Sequence, residues 1–170
     1  MRSQGWKFRR LALRCVLVAA VVVVAGACSS GGSKQSTFSI RAVNGEQPTP
    51  CPRPPKPSTN AGVLPLVRQG KAVSCLQVGP AAVTERDITE ANAVNGPGSR
   101  WAVDFALDSA GAARLNQLAA TQLGKQAAME ANGVVYSAPI VHTSEMQGRG
   151  EISGLDEATA KRVASEIKSR

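Results

Sequence analysis

The sequence predicts an α+β domain over residues 61–170: a two-layer fold with a mostly antiparallel sheet and helices on one face. Three observations carry this. Residues 100–108, RWAVDFALD, alternate apolar and polar positions, as a half-buried strand does. Asn132-Gly133 separates two short apolar segments, the strongest short-range signal for a hairpin. Residues 109–124 and 155–170 carry apolar side chains at helical spacing.

The elements follow in order. KAVSCLQVG (71–79) is rich in β-formers and stops at Gly79-Pro80, which reads as a strand. TERDITEANAVNG (84–96) opens with Thr84 and has Asp87 three residues on, a capping-box-like start. It ends at Asn95-Gly96-Pro97, so a short helix is expected there. In the strand 100–108, Trp101, Val103, Phe105 and Leu107 share one face, and Asp104 lies on the other. The helix 109–124 is capped by Asp108 or Ser109, carries Ala112, Leu115, Leu118 and Ala119 as its apolar stripe, and has Gly124 at its end. KQAAMEA (125–131) and VVYSAPIV (134–141) are the two arms of the hairpin, with Pro139 demanding an edge or a bulge. GRGEISG (148–154) is a short strand. The closing helix 155–170 starts near Asp156 and buries Ala160, Val163, Ala164 and Ile167. The expected order is β-α-β-α-β-β-β-α, with three helices against one sheet. About 100 residues can hold one modest core.

The amino terminus reads differently. Arg2, Lys7, Arg9, Arg10 and Arg14 precede the apolar run CVLVAAVVVVA, and the small residues Ala25, Gly26 and Ala27 lead to Cys28. That is a signal-peptide pattern, and its apolar core is shorter than the roughly 20 residues of a membrane span. A cysteine directly after the cleavage-site residues resembles the lipobox of bacterial lipoproteins, although Ala25 stands where leucine is usual. The resemblance implies that residues 1–27 are removed and that Cys28 is lipidated, anchoring the protein to the extracytoplasmic face of the cell membrane. Residues 28–60 are rich in serine, glycine and proline and read as a tether.

Charge and cysteines narrow the function. The formal net charge of +8 comes from the first 60 residues, whereas residues 61–170 hold eleven basic and eleven acidic side chains. A neutral folded region gives no basis for nucleic-acid binding. Cys51 and Cys75 remain as an even pair in an oxidising compartment. A disulfide between them would close a loop of roughly 25 residues, worth about 3 kcal/mol. Two free thiols are the alternative. A zinc site would lack ligands, since His142 is the single histidine and lies far along the chain.

A second resemblance covers about 60 residues. The ordered set Gly111 to Leu118, Gly124-Lys125, Gly133-Val134-Val135-Tyr136-Ser137-Ala138-Pro139, Gly148 to Gly154 and Asp156-Glu157-Ala158 resembles the periplasmic head subdomain of SecD and SecDF, membrane subunits of the bacterial protein-export machinery. It implies a SecDF-head-like fold and contact with polypeptide, either an exported chain, Sec translocon components or an envelope partner. The six membrane spans and the proton-coupling carboxylates of that family have no counterpart here.

Chemistry is sparse. Ser137 or Ser144 with His142 can be drawn as a nucleophile and base, but residues so close along one strand do not converge easily on a substrate, and no orienting acid is placed. Gly148, Gly150 and Gly154 lack the Lys-Ser/Thr ending of a phosphate loop. No cofactor or metal motif stands out. A binding module without turnover is expected. The alternative is a lipid-anchored receptor for a small envelope ligand unrelated to export, which an enclosed apolar pocket would favour.

Overall fold

The computed structural model describes residues 38–52, 59–96 and 100–168. Along the chain these form β1 (Phe38–Gln47), β2 (Gly62–Arg68), β3 (Lys71–Thr84), β4 (Ile88–Asn95), β5 (Trp101–Leu107), α1 (Ser109–Thr121), β6 (Ala127–Ala131), β7 (Val134–Ser137), β8 (Arg149–Leu155) and α2 (Glu157–Lys168). The fold is α+β, but its strands make two sheets. Strands β1, β3, β2, β7 and β6 close into a barrel, and β4, β5 and β8 form a separate three-stranded sheet.

Strand periodicity divides the core in two. Val43, Leu64, Leu66, Leu76, Val78 and Val135 fill the barrel. Phe38 and Ile40, on the opposite face of β1, join Val103, Phe105, Leu115 and Val163 in a core shared with the small sheet and both helices. Phe105 is central to that junction. Its ring packs against Phe38 with centroids 5.4 Å apart. It also lies over Gly150 on the neighbouring strand, where a Cβ would fall 2.3 Å from the ring. Glycine is needed there for space.

One polar cluster sits inside this apolar frame. Arg41 and Glu130 are each 2% exposed and pair at 2.8 Å between Nε and Oε2. Ser39 Oγ donates to the same carboxylate oxygen at 2.5 Å. Arg41 Nη1 donates to the carbonyl of Asn60 at 2.6 Å. Glu130 Oε1 accepts from Gly133 N at 3.0 Å. The register explains the meeting, because Ser39 lies opposite Glu130 in the antiparallel β1–β6 pair.

Several expectations hold. The stripe of α2 is Ala160, Val163, Ala164 and Ile167. Asp108 caps α1, accepting from Gly111 N at 2.6 Å. Asn132 and Gly133 have φ of 52° and 80°, the two positive values that a type I′ turn requires. Cys51 and Cys75 are joined, with Cα atoms 5.4 Å apart.

Several expectations are corrected. The single two-layer sheet is a barrel plus a three-stranded sheet. The helix over 84–96 is one 3₁₀ turn, Glu85–Asp87, followed by β4. The capping interaction does form, Thr84 N donating to Asp87 Oδ2 at 2.8 Å, but it governs one turn. Beyond it, β4 is claimed by the ladder to β5, from Ile88↔Leu107 to Asn95↔Trp101. Lastly, the tether assigned to 28–60 includes β1, whose Phe38, Ser39, Ile40 and Arg41 are all buried between β3 and β6. In α1, Gly111 takes the buried place expected of Ala112, because the helix starts against the 3₁₀ turn, where a Cβ on Gly111 would meet Asp87 Cβ at 2.6 Å.

Candidate functional site

A proline shapes the candidate site. The β7 ladder ends at Ser137, and the chain resumes contact only through isolated bridges at Ile140 with Gln126 and Val141 with Leu123. Pro139 has no N–H to continue a ladder, but its carbonyl accepts from Ala127 N at 3.0 Å. On its other side, β7 meets β2 through the single parallel pair Leu66↔Val135. The barrel is thus closed at this seam by a single ladder pair.

A groove of about 450 Å³ opens there, between Tyr136–Pro139 of the barrel and Trp101, Glu151 and Ser153 of the small sheet, with Arg68 and Arg100 also lining it. Arg68, Arg100, Glu151, Ser153 and Gly154 are exposed, so the groove is open to solvent. Strand β8 is an edge of its sheet, so it presents an unpaired side. Gly154, with φ of +77°, lies within the irregular stretch of the β5–β8 register.

Helix α2 holds both groove aromatics. Lys161 Nζ sits 5.2 Å from the centre of the Trp101 ring. Arg162 Nη2 donates to the Tyr136 hydroxyl at 3.1 Å, and this bond raises the already high pKa of the guanidinium. Glu166 pairs with Arg162 at 3.3 Å and accepts from Asn132 of the hairpin turn. At the start of the helix, the backbone N–H and the hydroxyl of Thr159 hold the Asp156 carboxyl below its ordinary pKa.

The residues singled out in the sequence are dispersed. Ser137 lines the groove, whereas His142 is exposed beyond it, and neither side chain has a hydrogen-bond or ion-pair partner among the described residues. Asp104 is exposed on the face of β5 opposite Val103 and Phe105, the face it shares with Glu151 across the β5–β8 pair. Among the described residues, no three His, Cys, Asp or Glu side chains are gathered as a metal site would require. Gly148 and Gly154 have positive φ, and Gly150 gives Phe105 its space. Cys28 lies outside the described residues. The sequence reading did not single out Arg68 and Arg100 or assign Trp101 and Tyr136 to a groove, since these residues come from three separate strands and the segment entering β5. Arg41 and Glu130 carried a signal, a charge at an inward position of an apolar strand.

No helix among the described residues is long and apolar enough to cross a membrane. A family model described as "SecDF, P1 head subdomain" matches residues 63–169. Among solved structures, a crystal structure of SecDF in a super-membrane-facing form superposes with a TM-score of 0.59 at 21% identity, covering 79% of this chain. A structure of SecDF described as a membrane component that enhances protein export gives 0.57 at 20% identity, again over 79% of this chain. At such identities the likeness is one of fold. This chain spans 19% of the first of those chains and 63% of the second. No curated protein matches the sequence.

Proposed function

The chain belongs to the SecDF P1 head-subdomain family, and from that premise we propose that it is an extracytoplasmic polypeptide-binding module, auxiliary to protein export and anchored to the membrane by lipid on Cys28. The observation that supports this reading is the open groove at the barrel seam, flanked by the edge strand β8 and the interrupted strand β7. Extended polypeptide binds such edges by adding backbone hydrogen bonds, with pockets for alternate side chains. The open, mixed polar and aromatic lining suits a chain passing along it better than a small molecule enclosed by apolar walls. The module is read as binding without turnover, since among the described residues Ser137 and His142 have no side-chain partner and no lining nucleophile is joined to a base.

A photo-crosslinking side chain placed at Ser153 of the full chain, in cells, tests the groove. Newly exported polypeptides are expected to crosslink several-fold more from Ser153 than from exposed Lys125. Equal yields from the two positions would overturn the assignment. The anchor has its own test. Cys28→Ser is expected to abolish fatty-acid labelling and to release the protein from the membrane fraction or leave it as an uncleaved precursor. Unchanged labelling would remove the anchor from the proposal.

A further inference from the structure

We propose that the groove selects extended segments by charge, taking a segment that presents a carboxylate to Arg68 and Arg100 and turns its neutral or basic end towards Glu151. This rests on the polypeptide-binding reading and adds a chemical class and a direction to it.

The argument begins with what is already satisfied. Lys161 occupies the Trp101 ring and Arg162 the Tyr136 hydroxyl, both from α2. The aromatic groups therefore do not await a cation and are left to make apolar contact. Arg68 and Arg100 are different. Both are exposed in the groove, and neither has a carboxylate partner among the described residues. Elsewhere Arg41, Arg114, Lys161 and Arg162 are each paired with an acid, and Arg86 and Arg149, which have no acid partner among the described residues either, do not line the groove. A planar guanidinium fits a carboxylate through two parallel hydrogen bonds, so the ligand group that complements this end is an acid.

The opposite sign lies at the other end. Glu151 also lines the groove, yet it forms no ion pair with either arginine. The β5–β8 register sets it opposite Asp104, three residues along β5 from Trp101. At strand rise that is roughly 10 Å, the length of three extended residues. Arg100 adjoins Trp101 on the far side of that interval. On the barrel wall, Arg68 lies two residues along β2 from the Leu66↔Val135 pair. Along the β5–β8 wall the groove thus has a basic end at Arg100 and an acidic end at Glu151, which the register sets beside Asp104, and Arg68 lines the facing barrel wall. A segment with an acid, an apolar stretch and then a neutral or basic residue matches it in one direction and is opposed in the other.

Fluorescence anisotropy with the full-length protein tests this. Three labelled peptides share one apolar centre: one has glutamate before it and lysine after it, one has the two exchanged, and one has glutamine at both places. One of the two charged peptides is expected to bind about five- to tenfold more tightly than the other, a preference weakened by salt. The double variant R68Q/R100Q should abolish that preference while leaving the melting temperature unchanged. Equal affinity for all three peptides would overturn the charge selection and leave the groove reading standing. No binding by any peptide would overturn both. Displacement of bound peptide by vesicles of anionic lipid, lost in R68Q/R100Q, would reassign the arginines to a lipid surface and overturn the proposal.

Discussion

Replacing Glu130 with alanine is expected to destabilise the folded domain by about 3–5 kcal/mol, because it leaves the Arg41 guanidinium charged and buried without its counter-ion. The cost follows from the surroundings. Both side chains are 2% exposed, so water cannot take the place of the carboxylate. The same carboxylate accepts from Ser39 Oγ and from the Gly133 amide, so the variant also strips the hairpin turn of an anchor. Urea denaturation measures the effect. A second variant separates the lost pair from the lost packing. Arg41→Met combined with Glu130→Leu removes both charges and is expected to recover most of the stability, since apolar replacements of a buried pair are often neutral or better. A loss below about 1 kcal/mol in Glu130→Ala would mean that the pair is not sealed from solvent as described.

Phe105→Ala carries the second large effect, a loss of about 3–5 kcal/mol. Phe105 is 4% exposed and belongs to the core shared by the barrel, the small sheet and both helices. Its ring is held between Phe38 of β1 and Gly150 of β8, so the void left by truncation falls at the junction of the two sheets. Collapse into that void would have to move one sheet against the other. The groove is built from both, Trp101 and Glu151 on one side and Tyr136 on the other. Peptide affinity should therefore fall along with thermal stability. A variant that loses stability but binds the preferred peptide with unchanged affinity would show that the two walls keep their spacing without Phe105.

The parts legible in the sequence were those decided within a few residues. The capped helix after Asp108, the apolar stripe of α2 and the turn at Asn132-Gly133 each depend on local backbone geometry and on spacing along one element. The even pair Cys51 and Cys75 also marked a bond that forms. What the tertiary structure alone decided is long-range pairing. Phe38–Gln47 shows alternation at Phe38, Ile40 and Ala42, yet it sits among tether-like residues. It becomes a barrel strand only because β3 and β6, up to some 90 residues away, supply its partners. Ile88–Asn95 follows a true capping signal, but one turn of helix is worth less than seven paired residues of ladder with β5. The groove belongs to the same class. Its arginines, aromatics and glutamate lie on segments that the sequence separates and that meet only where the barrel seam and the edge of the second sheet come together. Helix caps and turns are settled by neighbours in the chain, whereas a strand's partner, and any surface formed between two sheets, is settled by the burial of faces that no single segment contains.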